Sequence, residues 1–279
     1  MREIEKFKEH ILKEYPRLKK EDKFTFSCHK GVPCFNACCG DVNIFLTPYD
    51  IIRLRKNLGI TSTELLKKYT ISPFDKNLHF PVLLLKMNDD ARKSCPFVGE
   101  QGCTVYPDRP WACRMYPLGL ASPGDNGDDL NEEFYFLLKE DVCKGFNEKR
   151  EYTVAEWLND QGIEEYNKNG EYFKEITTHR FFREGNKLNP QQIEMFFMAC
   201  YDLDRFRRFV FESSFLNKFD VDDAAKNKIK SDDVELLKFA VNWLRFAFYG
   251  EKTMQIKEDI AAAKKEQLKD KIKDKNSGN

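Results

Sequence analysis

Between residues 27 and 40 the sequence SCHKGVPCFNACCG places four cysteines, Cys28, Cys34, Cys38 and Cys39, in one short stretch, and the last two are adjacent. Four more follow at Cys95, Cys103, Cys113 and Cys143, while a ninth, Cys200, stands apart. Four thiolates complete one tetrahedral zinc or one iron–sulfur cluster. Eight suffice for two such sites, or for one site with structural or redox thiols beside it. Neither group repeats the Cys-x2-Cys knuckle of a zinc ribbon. Neighbouring residues in extended or irregular chain point their side chains apart. Cys38 and Cys39 therefore serve different metals, or a cluster whose several irons accept both. Ligand preference ranks an iron–sulfur cluster first, zinc second and a purely thiol-redox role last.

The rest of the composition is that of an ordinary globular chain. Of 279 residues 41% are hydrophobic and 33% charged, with 46 basic side chains against 46 acidic ones. Such a balance offers no general electrostatic grip on nucleic acid or on an anionic membrane. The first twenty residues are charged throughout and lack the apolar core of a secretory signal. No later stretch reaches the roughly 18 apolar residues of a membrane span. These features point to the cytoplasm, where thiols stay reduced, and an odd number of cysteines suits metal ligation better than a disulfide framework.

Residues 4–18 place Ile4, Phe7, Ile11 and Leu12 at helical spacing, a leader helix within a segment of residues 1–23. A cysteine-cluster domain over residues 24–148 follows. In it Val42 to Leu46 read as a strand, Thr47 as an N-cap before Pro48, and Gly59 as the end of that helix. Ser62 or Thr63 is positioned to cap the next helix, residues 80–87 read as a strand, and FYFLLK as another. Residues 95–120 are rich in Pro and Gly, with few periodic apolar positions, so something besides a core must order them. Residues 121–133 read as a polar turn.

Beyond about residue 149 the pattern turns helical up to residue 252, before a charged helical or disordered tail over residues 253–279. Thr153 with Glu156 forms a capping-box pattern. Long aromatic-rich helical stretches begin at Asn189 before Pro190 and at Ser231 before Asp232. The expected fold class is α+β: a small cysteine-rich unit with short strands and long loops, then a mainly helical C-terminal part.

CFNACC, the IFLTPYD after it and CPFVGEQGCTVYPDRPWACRMYP together resemble the YkgJ-type cysteine-cluster family of zinc- or iron-chelating domains. That family's signature is Cys-x2-Cys-x2-Cys-Cys, whereas the cysteines here are separated by five, three and no residues. Cys95, Cys103, Arg109, Pro110, Cys113 and Arg114 follow the pattern more closely. Covering about residues 24–145, the resemblance implies a metal or iron–sulfur site, without a settled reaction. Some proteins with a similar cluster are flagellin lysine methylases. That likeness, confined to the cluster, implies protein-lysine methyl transfer from S-adenosylmethionine.

Arg109 and Arg114 flank Cys113, and Lys30 lies beside the first group. Cations there would offset thiolate charge and tune a cofactor; alternatively they bridge to Asp108 or to loop carbonyls, or hold an anionic substrate. His29 could replace a thiolate, while Cys200, in an apolar helical run, reads as a small buried hydrophobe. Phosphate-loop, dinucleotide and hydrolase signatures are absent. The expected protein is thus a cytoplasmic metal-binding one, with a 4Fe–4S cluster favoured over zinc, held by the eight cysteines. Alternatives are a cluster-dependent oxidoreductase or methylase, and a zinc-stabilised module that binds a protein partner through its C-terminal helices.

Overall fold

The computed structural model describes residues 15–73, 79–121 and 133–262. The helix expected near the N-terminus, the polar turn after residue 121 and most of the charged tail lie outside them. The chain divides into two compact units, Met1–Glu171 and Tyr172–Asn279, and the architecture is α+β.

The first unit holds nine short strands among the described residues: β1 (Lys23–Thr25), β2 (Phe45–Leu46), β3 (Thr70–Ile71), β4 (Leu83–Leu85), β5 (Val98–Gly99), β6 (Gly102–Cys103), β7 (Leu118–Ala121), β8 (Phe134–Leu137) and β9 (Glu151–Thr153). They pair antiparallel in four small sheets, β1–β9, β2–β4–β3, β5–β6 and β7–β8. The strand expected over Val42 to Leu46 is only Phe45–Leu46. In the β1–β9 pair, Phe24 faces Tyr152 and both are buried. Phe26, just beyond β1, meets the rings of Tyr116, Phe146 and Trp157 nearly edge-on, the arrangement aromatic quadrupoles favour. These residues form one core with Met115, Leu118, Val154 and Ile163.

Helix α1 (Pro48–Leu58) starts as the sequence requires: Thr47 and Asp50 make a reciprocal capping box, and Gly59 ends it at φ 63°. Helix α2 (Ser62–Tyr69) starts one residue earlier than expected, because Thr61 has Glu64 three positions on and so completes a box that Ser62 and Thr63 cannot. After α3 (Trp111–Met115), Thr153 and Glu156 box α4 (Val154–Asp160) as read from the sequence. Gly162, at φ 62°, then separates it from α5 (Ile163–Thr177).

In the second unit the stretch from Asn189, read as one helical run, is three helices. After α6 (Arg180–Arg183) come α7 (Pro190–Cys200), α8 (Leu203–Glu212) and α9 (Phe215–Lys218). The chain breaks at Asp202, whose carboxylate accepts from Arg205 N and restarts the helix. Then α10 (Asp223–Ser231) and α11 (Asp233–Tyr249) follow. Asp232, not Ser231, caps α11, accepting from Val234 N and Glu235 N at 2.7 and 3.0 Å; the Ser231 hydroxyl donates back to Asn227 O instead. Phe206, Phe215 and Trp243 pack together in this unit's interior. Cys200 is fully buried there. No described helix is long and apolar enough to cross a membrane.

Candidate metal centre

Residues 29–39 run as successive bends and turns, and backbone contacts fix the segment at both ends. At the first, Phe26 N donates to Arg150 O (2.9 Å) and Ser27 N to Gly145 O (3.0 Å). The approach requires glycine: a Cβ on residue 145 would lie 2.7 Å from the Phe26 ring and 2.8 Å from Ser27 O. Next to it, Lys144 N donates to Cys34 Sγ at 3.0 Å. Cys143 is thereby carried beside a loop more than a hundred residues upstream.

At the other end Cys95 N donates to Cys39 O (2.8 Å), Asp41 N donates to Lys93 O (3.0 Å), and Gly40 pairs with Ser94. Asn36, Asp41 and Lys93, the non-glycine residues with positive φ among those described, all sit at this joint, at 67°, 51° and 43°. Such conformations cost about 1–3 kcal/mol each and persist where surrounding structure imposes them.

The β5–β6 hairpin sets Cys103 opposite Val98, and Cys95 Sγ accepts a long hydrogen bond from Phe97 N at 3.5 Å. Cys113 rides on α3, whose leading residue Pro110 provides no side-chain cap. The missing acceptor comes from α1: Asp50, fully buried, accepts from Trp111 N (2.8 Å) while its other oxygen accepts from Thr47 N (2.7 Å) and Thr47 Oγ1 (2.8 Å). Burial lifts this carboxyl to about 6, against those hydrogen bonds.

Six of the eight clustered cysteines are half-buried, and Cys28 and Cys113 keep more exposed area. Desolvation is the main force on Cys28, pushed up to about 11, with Cys38, Cys34 and Cys143 adding to it. Cys113 lies in a crowded region despite its accessible edge, and desolvation pushes it up to about 12, helped by Cys95, Asp50 and Cys103. Burial also raises Cys95 and Cys103. The thiols of Cys38 and Cys39 do not point apart: they hydrogen-bond to each other, which lowers Cys38 and raises Cys39. The turn conformation accounts for this departure from the alternation of extended chain.

Arg109 and Arg114 are both buried. Arg109 donates to Tyr106 O (2.7 Å) and to Gln161 Oε1, and its nearby charges include Cys113 and Cys103. Arg114 donates to Arg109 O (3.1 Å), Gln161 O (2.6 Å) and Pro107 O. Of the two bridging alternatives the loop carbonyls hold; Asp108 instead accepts from Arg53 and Asn57. Lys30 donates to Gln101, and His29 contacts Glu148 (3.3 Å) and Gly31 N (3.1 Å).

Residues 27–172 match the family CxxCxxCC, described as "Putative zinc- or iron-chelating domain". The chain belongs to this family. The CxxCxxCC match runs past Cys143 through α4 and most of α5, so Gln161, which holds both arginines, lies inside it. No curated protein and no solved structure matches the chain.

As the side chains stand, no three His, Cys, Asp or Glu among the described residues are grouped to hold a metal ion. The donor chemistry of the CxxCxxCC domain nevertheless fits a thiophilic metal. The thiols of Cys28, Cys39, Cys95, Cys103 and Cys113 resist ionisation, and a bound cation reverses that resistance. Donors wait on the sulfurs too: besides Lys144 N, the buried Tyr116 hydroxyl lacks a hydrogen-bond partner of normal geometry. It faces Cys143, and burial first, then that thiol, holds the phenol far above its usual range. Asp50, Lys144 and Gln161 escape a reading of the sequence. Only Asp50 left a trace there, as the fourth residue of the Thr-x-x-Asp box.

Proposed function

We propose that this domain is an iron–sulfur protein of the cytoplasm, its eight clustered cysteines ligating 4Fe–4S chemistry in preference to zinc. The observation that carries the reading is the collection of eight thiols from two distant loops into neighbouring positions, with N–H and O–H donors aimed at sulfur. A single zinc with bonds of about 2.3 Å draws its sulfurs to roughly 4 Å from one another. Eight thiols exceed the four that such an ion takes, and adjacent cysteines such as Cys38 and Cys39 suit multi-iron chemistry, in which each cysteine ligates a different iron. Arg109 offsets the charge of Cys103 and Cys113, and Arg114 fixes the loop around it. All nine cysteines are free, in keeping with a reducing compartment.

A bound cluster would supply one-electron chemistry; the protein's part is to order and desolvate the ligands. Iron, acid-labile sulfide and absorption, measured on protein purified without air, test the proposal. Iron and sulfide in equal amounts with a band near about 400 nm support it. Zinc alone, without the band, sinks the iron–sulfur reading.

One observation favours an enzymatic use. A cleft of about 650 Å³ opens at the joint between the cysteine loops, lined by Phe35, Asn36, Arg92, Ser94, Val98 and Gly99. Its rim carries the strained Asn36, as functional sites often do. On this reading the loaded protein takes up and returns electrons reversibly, and Ser94→Trp, which fills the cleft, slows a soluble donor. A redox-silent protein removes it.

A further inference from the structure

We infer that the eight cysteines build two separate four-thiol centres, Cys28, Cys34, Cys38 and Cys143 in one and Cys39, Cys95, Cys103 and Cys113 in the other. The inference rests on the metal-binding reading above and adds the number and membership of the sites.

The division cuts across the order of the sequence. Of the first four cysteines, three join Cys143 and one joins the later group. Backbone geometry makes this exchange. The contact of Ser27 N with Gly145 O and that of Lys144 N with Cys34 Sγ, both at 3.0 Å, tie Cys28 and Cys34 to the segment of Cys143. The 2.8 Å bond from Cys95 N to Cys39 O and the Gly40–Ser94 pairing tie Cys39 to the segment of Cys95, and the hairpin brings Cys103 to it.

The side chains follow the same partition. The thiols acting on Cys28 are Cys38, Cys34 and Cys143; those acting on Cys113 are Cys95 and Cys103. Cys39 feels Cys95 and Cys113, and the Cys38–Cys39 hydrogen bond joins the two sets. Once ligated, two adjacent thiolates have no proton to share and repel each other. Membership of different centres gives each its own cation.

The surroundings also differ. The first set has the unpartnered Tyr116 hydroxyl and the acidic Glu140 beside it. The second has the guanidinium of Arg109. The two centres therefore have distinct spectra.

Native mass spectrometry of the full chain, loaded without air with iron and sulfide or with zinc, counts centres directly. The expected result is two centres per wild-type chain, one in Cys143→Ala, one in Cys103→Ala with a different absorption spectrum, and none in the double variant. A wild type that never exceeds one centre overturns the division even if the variants fold poorly. So does a folded single variant that loses both. A wild type that takes up no metal overturns the metal-binding reading itself, and the division with it.

Discussion

Gly145→Ala and Gly170→Ala are the same chemical change with opposite expected signs. A Cβ at residue 145 would stand 2.7 Å from the Phe26 ring and 2.8 Å from Ser27 O, one a fully buried core ring and the other backbone. Neither yields easily, and overpacking of this kind costs about 1–3 kcal/mol. Lower entropy of the unfolded chain returns roughly 0.4–1 kcal/mol, which leaves a net loss of about 1–2 kcal/mol. At residue 170, within α5, a Cβ meets nothing within 4 Å. Alanine there should stabilise by about 0.5–1 kcal/mol. Urea denaturation of both variants beside wild type reads the signs, and metal analysis reads the consequence. Pushing Ser27 from Gly145 separates Cys28 and Cys34 from Cys143, so Gly145→Ala should retain less metal while Gly170→Ala retains all of it. A Gly145→Ala protein as stable as Gly170→Ala, or one weakened with full metal content, would refute the account of how the loop is anchored.

Gly40→Ala should weaken the other anchor, because its Cβ would meet Arg92 O at 2.7 Å; faster amide exchange across residues 38–41 and 92–96 is the readout. Asp50 is buried with a folded carboxyl near about 6, above its unfolded value of about 4. The folded state thus binds the proton more tightly, and stability falls as pH rises from about 4 to about 6, by up to roughly 3 kcal/mol. Denaturation across that range should show the slope in wild type and its absence in Asp50→Asn. Cys200→Ser places a hydroxyl in a fully buried site and should cost about 1–3 kcal/mol, with metal content unchanged; loss of metal would make the ninth cysteine a ligand. Chelation under reducing conditions should expose residues 27–41 and 92–113 to exchange and leave α7 to α11 protected, as hydrogen exchange by mass spectrometry can show.

Local chemistry was legible in the sequence where it is self-contained. The cap at Thr47, the box at Thr153, the helix start at Asn189 and the helix end at Gly59 each need residues only a few positions apart, and each appears as read. Element lengths were less legible, since Gly162 and Asp202 interrupt patterns whose apolar spacing continues past them. Hidden most were the contacts that assemble the site. Asp50 accepting from Trp111 N, Lys144 N reaching Cys34 and Gln161 holding two arginines join residues 47 to 110 positions apart, and nothing in either local stretch marks its partner. The cysteines were visible because their type and number suffice; their sorting depends on where the two anchors hold the loop.

The clasp between β1 and β9 has a bearing on how the protein is made. Lys23 and Glu151 meet across 128 positions of chain, and closing a loop of that size costs about 4 kcal/mol before any contact within it contributes. Cys28 lies just inside one strand of the clasp and Cys143 just inside the other. On a ribosome Cys28 and Cys143, the outermost of the proposed ligands, cannot be clasped together until β9 has left the exit tunnel. Until then the earlier thiols are present without their last partner, open to air and to stray copper or zinc. Correct loading thus belongs to the end of this domain's synthesis, and delivery of metal is best timed to that moment.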